Sequence, residues 1–200
     1  MKRNNITKDY TEYTKVFLEE NSGLNLISKN DEKYLYEKHI YDSLAIKLFF
    51  EKYKFMPSEI LDIGCGGGFP SVPVAIEYPQ IKVTALDSIR KKINAVNNIK
   101  EKLSLNNLTV ICERAENLKD KYDLVVSRAV ADLEKISEYA LPLLKKNGYF
   151  VAYKSRKALL EIEQAEKVLK KYNAKVVDII EYTLPLEEIY ERNLIVISMV

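Results

Sequence analysis

Apolar residues recur at four-residue steps through Tyr36, Ile40, Leu44 and Leu48, and a similar spacing runs earlier in the chain, so 7–20 and 31–54 are expected to be helical. The pattern then changes. Short apolar runs at 59–63, 81–86, 108–112, 122–127 and 148–154 read as buried strands, and the stretches 70–78, 89–104, 132–146 and 156–171 read as helices. Strands alternating with helices predict an α/β, Rossmann-like fold: a mainly parallel, doubly wound sheet covered on both faces. The chain ends differently. Residues 174–183 and 193–199 are both strand-like, and the acidic connection around Pro185 is too short for a helical crossover, so these two must run antiparallel.

The segment Ile60-Leu61-Asp62-Ile63-Gly64-Cys65-Gly66-Gly67-Gly68-Phe69-Pro70 joins the first strand to its helix, and Leu86-Asp87 closes the second strand. Glycines at 64, 66, 67 and 68 let a backbone approach a ligand closely. A dinucleotide fingerprint reads G-x-G-x-x-G and rests a pyrophosphate on the next helix. Here Gly64, Gly66 and Gly68 give G-x-G-x-G, and Phe69-Pro70 leaves little room for a diphosphate. Asp62 adds a carboxylate beside the loop, which suits a cationic ligand such as S-adenosylmethionine better than NAD. Asp87 is placed for ribose hydroxyls with either ligand. A glycine turn that binds nothing is the plain structural alternative. Ligands in such sheets lie outside the carboxyl ends of the strands, so Asp62 to Phe69, Asp87, Cys112 to Glu116, Ser127 to Ala129 and Lys154 are expected around one crevice.

Two hundred residues with 47% hydrophobic content suit one domain, with 1–56 as a helical segment and 57–200 as the ligand-binding core. The net charge of +2 hides two basic groups, Lys145, Lys146, Lys154, Arg156 and Lys157, and Arg90, Lys91 and Lys92. Such groups are mostly solvated surface, with a basic face for an anionic partner as the functional reading. Two cysteines and one histidine argue against a disulfide framework and against a metal site. Met1-Lys2-Arg3 is not followed by an apolar core, and no apolar run is long enough to span a membrane. The expectation is a reduced, cytoplasmic protein for which nothing demands more than a monomer.

Further blocks appear in order: Asn25-Leu26-Ile27-Ser28, His39-Ile40-Tyr41-Asp42-Ser43, Leu86-Asp87-Ser88, Arg114-Ala115-Glu116, Ser127-Arg128-Ala129-Val130-Ala131, Tyr153-Lys154 and Arg192-Asn193-Leu194-Ile195-Val196-Ile197. With the glycine loop they make the chain resemble the RsmG (GidB) family, bacterial methyltransferases of small-subunit ribosomal RNA. The resemblance spans nearly the whole chain and rests most on the H-I-x-D-S and S-R-A-V-A blocks. It implies a class I methyltransferase fold and methyl transfer from S-adenosylmethionine to N7 of one guanosine in 16S rRNA, free or in the small subunit. It also places cofactor contacts on Gly64, Phe69, Ala115, Glu116 and Arg128. The N-terminal helical segment is somewhat short for the family, which bears on RNA docking, and Cys65 occupies a variable loop position.

Guanine N7 carries an in-plane lone pair and needs no base, so orientation would supply the catalysis. The chain agrees, with Ser127-Arg128-Ala129 where amino-group methyltransferases carry N-P-P-Y or D-P-P-Y. Arg128 and Lys154 are the candidates for electrostatic positioning. Arg128 could contact the cofactor, the guanine edge or a phosphate, or simply pair with a neighbour such as Asp132. Arg114, Lys154, Arg192 and His39 are candidates for the RNA side, each with surface charge or packing as its alternative. Tyr34, Tyr36, Tyr41 and Tyr153 could stack on a base, although packing suits the first three better; Phe69 would wall the adenosine pocket. Asn25 is read as a turn residue and Cys112 as a small filler. A small-molecule or protein methyltransferase, or a non-catalytic nucleotide-binding module, stays open on the residues alone.

Overall fold

The computed structural model describes residues 8–156 and 158–200. The expected start of the first helix at residue 7, the Met1-Lys2-Arg3 segment and Lys157 lie outside the described residues. Seven strands form one sheet: β1 Glu59–Ile63, β2 Lys82–Asp87, β3 Leu108–Cys112, β4 Tyr122–Arg128, β5 Leu144–Lys154, β6 Ala174–Thr183 and β7 Glu191–Met199. Their spatial order is β3-β2-β1-β4-β5-β7-β6. The first five pair in parallel, while β7 runs antiparallel to both β5 and β6. Leu61, Leu124, Val125, Val151 and Ile195 are almost wholly buried, as near-continuous apolar runs require when both faces of a sheet are covered.

Between the strands lie α4 Ser71–Glu77, α5 Arg90–Lys102, α6 Leu133–Ala140 and α7 Ala158–Lys171. The sequence pattern extends α6 to residue 146, but the helix stops at Ala140. A short 3-10 turn, Leu141–Leu143, carries Pro142, and the apolar run Leu143-Leu144 that reads as helix feeds β5 instead. Strand burial overrides the local helical spacing there.

The N-terminal cap comprises α1 Thr11–Leu24, α2 Lys29–Glu32 and α3 Ile46–Tyr53. The single helix expected over 31–54 is broken: residues Leu35–Tyr41 form a wider π-helical turn between α2 and α3. Tyr10, Tyr13, Phe17 and Ile27 from the cap enter the core beside Phe69 and Val72. Asn25 closes α1 in the left-handed conformation at φ 51°, which is the turn role read for it.

The antiparallel β7 has a positional consequence. Its start lies beside the carboxyl end of β5, with Asn193 opposite Lys154. Arg192 therefore reaches the same edge as Asp87, Cys112, Arg128 and Lys154.

Candidate functional site

Two cavities open along that edge. The smaller, about 470 Å³, takes in Gly64, Asp87, Ile89, Ala115, Glu116 and Tyr139, with Arg114 at its lining as well. The larger, about 800 Å³, includes Lys38, His39, Asp42, Arg128, Lys154, Tyr190 and Arg192. Ala129 and Val130 line both. Ala129 holds φ 56°, so a non-glycine residue in the left-handed region shapes the ridge between them.

The glycine loop is tied to β2. Gly64 N and Cys65 N both donate to the Leu86 carbonyl, at 2.7 and 2.9 Å. Gly66 N donates to Asp87 Oδ2 at 3.0 Å, and Ile89 N donates to Oδ1 at 2.9 Å. Each carboxylate oxygen keeps a further lone pair, so Asp87 can still accept from two ribose hydroxyls. A Cβ at Gly64 would stand 2.4 Å from Val130 Cγ2. Glycine is needed there because the ridge leans over it. Half-exposed Ile89 and buried Ala115 add apolar surface to the same cavity. Volume and lining fit an adenosine.

Asp62, read from the sequence as a carboxylate beside the loop, lies underneath it. Its side chain is wholly buried beneath the loop, where Oδ2 accepts from Ser71 N at 3.1 Å, while Oδ1 has no partner among the described residues. Burial pushes its carboxyl up to about 7, against the downward pull of the Ser71 bonds and the Arg128 guanidinium. The carboxyl occupies the Ser71 backbone donor at the start of α4.

Phe69 is buried in the structure. Its ring is 4% exposed and packs against Phe17 at 5.1 Å and His39 at 5.0 Å between centroids, with Tyr13 edge-on at 6.4 Å. It belongs to the seam between loop and cap and lines neither cavity. Gly68, at φ 93°, is required by packing rather than by a ligand, since a Cβ there would lie 2.6 Å from Val72 Cγ2. The space over Gly66 is open. Gly64, Asp87, Ala115 and Glu116 thus line the smaller cavity, whereas Asp62, Gly66, Gly68, Phe69 and Arg128 do not.

Arg128 anchors the larger cavity. Nη1 donates to the Lys38 carbonyl at 3.1 Å and to Asp42 Oδ2 at 2.9 Å, and Nη2 lies 3.1 Å from His39 Nδ1. The guanidinium carbon sits 5.2 Å from the centre of the Phe69 ring. Its ion-pair partner is therefore Asp42, 86 residues away, and not Asp132. Asp42 in turn accepts from the Tyr182 hydroxyl at 2.6 Å, and Arg192 Nε approaches the same oxygen at 3.8 Å. A guanidinium has five N–H donors. Three are used, leaving Nε–H and one Nη2–H without a partner among the described residues.

Lys154 donates to the Ala131 carbonyl and pairs with Glu161, both at 2.6 Å. Glu161 also accepts from Leu133 N at 2.8 Å. The lysine thus braces the segment after β4. Arg114 lies with the smaller cavity, apart from Arg128, Lys154 and Arg192. Tyr153 is 4% exposed, and its hydroxyl donates to the Ser43 carbonyl at 2.7 Å, so packing holds its ring. Tyr190 and part of Tyr153 both line the larger cavity. Sequence reasoning missed Tyr190, Tyr182 and Ile89; only Asp42, inside the H-I-x-D-S block, had any signal. Cys65 and Cys112 are free thiols, and the described residues hold no cluster of three or more potential metal ligands.

A parallel sheet ending in an inserted antiparallel strand, with a glycine loop and an acid at the end of the second strand, is the class I methyltransferase architecture. A structure of an S-adenosylmethionine-dependent methyltransferase from Clostridium acetobutylicum has this fold, with a TM-score of 0.63 at 16% identity over 85% of this chain and 98% of that one. TYW2 from M. jannaschii, solved in complex with AdoMet, aligns with a TM-score of 0.58 at 17% identity, over 77% of this chain and 76% of that one. The family model for GidB, rRNA small subunit methyltransferase G, matches residues 6–193. Proteins named ribosomal RNA small subunit methyltransferase G are 39% identical in Listeria innocua, over 96% of this chain and 82% of the relative, and 40% identical in Staphylococcus saprophyticus, over 96% and 81%. The chain belongs to the rRNA small subunit methyltransferase G family.

Proposed function

We propose that the chain transfers a methyl group from S-adenosylmethionine to N7 of a guanosine in 16S rRNA. The observation that carries the reading is the pair of adjoining cavities at the strand ends, one fitted to adenosine and one rimmed by Arg128, His39 and Arg192, separated by Ala129 and Val130. S-adenosylmethionine, when bound, supplies a methyl group on a cationic sulfur. Asp87 would hold the ribose, while Gly64, Ala115 and Glu116 frame the nucleoside.

Attack by N7 releases no proton, so the larger cavity needs no base. His39 is unsuited to be one. Burial, assisted by the Arg128 guanidinium, lowers it to about 4, and Nδ1 is committed to Arg128. A bidentate grip by Arg128 on guanine O6 and N7 would occupy the attacking lone pair. Its two remaining N–H donors therefore suit an oxyanion, a backbone phosphate or the cofactor carboxylate. Tyr190 offers the guanine a face to stack on. Lys154 acts on the ridge through Ala131 and Glu161. No helix among the described residues is long and apolar enough to cross a membrane, and the partner on this reading is 16S rRNA or the small ribosomal subunit.

The test is transfer of tritiated methyl to 30S subunits and to naked 16S rRNA from a strain lacking this gene, followed by nucleoside identification. Label in 7-methylguanosine is expected. Unlabelled RNA from both substrates, with the methyl donor bound, would turn the reading to a small-molecule or protein substrate.

A further inference from the structure

The Arg128 guanidinium can only donate hydrogen bonds, so the 3.1 Å contact with His39 makes Nδ1 the acceptor. A neutral imidazole then carries its proton on Nε2, an atom that is buried and unpartnered among the described residues. The ring is wedged against Phe69 at 5.0 Å. Three acceptors thus meet one guanidinium: the Lys38 carbonyl, Asp42 Oδ2 and His39 Nδ1. Two come from the π-helical turn and the third, Asp42, caps its end. A regular helix gives one hydrogen-bonding register; the wider turn brings the Lys38 carbonyl and the two side chains around a single group.

We infer that His39 is a positioning residue: it acts through Arg128, fixing the plane of the guanidinium so that Nε–H and the second Nη2–H face the larger cavity as an oxyanion-reading fork. The inference rests on the methyltransferase reading for its assay, although not for its geometry. Asp42 supplies the charge that keeps the guanidinium in place. His39 supplies a neutral stop that sets the rotation of the guanidinium plane about the Cδ–Nε bond, since only one orientation serves all three acceptors. Its remaining nitrogen is turned into protein, so it need not touch RNA or cofactor itself. Burial and the neighbouring guanidinium both hold the ring neutral, and a neutral ring can keep accepting through the physiological range.

Amide substitutions separate this role from others. The Asn side chain places an oxygen near the position of Nδ1, and Gln places its terminal group near Nε2. His39→Asn is expected to retain most of the methylation rate on 30S subunits, whereas His39→Gln and His39→Ala fall at least tenfold. The converse order would overturn the inference, because it would show that Nε2–H does the work. A double-mutant cycle with Arg128→Lys, which keeps the charge and loses the fork, gives the second readout. His39→Ala should cost little further in the Arg128→Lys background, both in methylation and in affinity for S-adenosylhomocysteine or RNA, whichever Arg128→Lys weakens. Additive losses, or no loss from Arg128→Lys in any of the three, would overturn it. Wild-type enzyme inert on RNA would instead sink the functional reading, and the cycle would still be decided on S-adenosylhomocysteine affinity. Thermal melts exclude unfolded variants from each comparison.

Discussion

At the scale of single residues, the cap and core share buried polar groups whose energetics can be read separately. Asp62 has its folded carboxyl raised from 3.8 to about 7 by burial, so the fold favours the protonated form. The ionised form costs nothing below pH 3.8; the cost grows as pH rises towards 7 and is constant above it. Asp62→Asn keeps an acceptor for Ser71 N and removes the charge. It should raise Tm in the ligand-free protein, by more at pH 8 than at pH 5, with a gain on the order of a few kcal/mol at pH 8. Equal shifts at both pH values would show that the carboxyl is not raised. Tyr182 poses the opposite case. Its hydroxyl donates to Asp42, a buried carboxylate, and Tyr182→Phe leaves Asp42 short of a partner beside Arg128. A loss of about 1.5–3 kcal/mol in chemical denaturation is expected. A neutral result would mean that water replaces the hydroxyl.

At the scale of elements, the glycine loop divides into a ligand half and a packing half, and the two should fail differently. Gly64→Ala pushes on the end of the Val130 side chain, at 2.4 Å from the new Cβ. Val130 is 42% exposed, so the ridge can move, while the new residue must hold φ 73°, and the expected result is a loss of S-adenosylhomocysteine affinity of tenfold or more with a smaller drop in Tm than Gly68→Ala gives. Gly68→Ala meets Val72 inside the core at 2.6 Å and must hold φ 93°. It should destabilise by about 1–3 kcal/mol. Calorimetric titration and thermal melts on the same two proteins decide it; identical profiles would erase the division. The sequence could not show this split, because G-x-G-x-G looks the same whether a ligand or a helix presses on it. It did show the strands. Residues 59–63 and 174–183 match β1 and β6 end for end, the first as a buried apolar run and the second as a β-branched and apolar run between turn residues. The entry segment is helical as read, but its spacing hid the break into α2, a π-helical turn and α3. A four-residue step fits a π-helical turn as well as an α-helix over so few residues.

For the whole molecule, the edge of the sheet was legible because topology alone sends Asp87, Arg128 and Lys154 to one end. The partners of those groups were not. Asp42 and Tyr182 lie 86 and 140 residues from what they bind, and pairs so distant leave no local pattern. Those hidden partners change the electrostatics. Around the larger cavity Lys38 pairs with Asp31, Arg128 with Asp42, and Lys154 with Glu161, so cations that look free in the sequence are already neutralised. Affinity for RNA scales with the phosphates a protein neutralises, and each contributes to the slope of log K against log salt. A site with mostly paired cations should bind a 16S fragment weakly, with a slope no steeper than about −2 to −3 between 50 and 200 mM salt. Shape and assembled surfaces must then supply much of the recognition, and 30S subunits should be methylated faster than naked 16S rRNA at the higher salt. Fluorescence titration of the fragment, beside methylation of both substrates across the same salt range, tests the argument. A slope of −6 or steeper would mean that another basic face, such as Arg90, Lys91 and Lys92 on α5, carries the RNA instead.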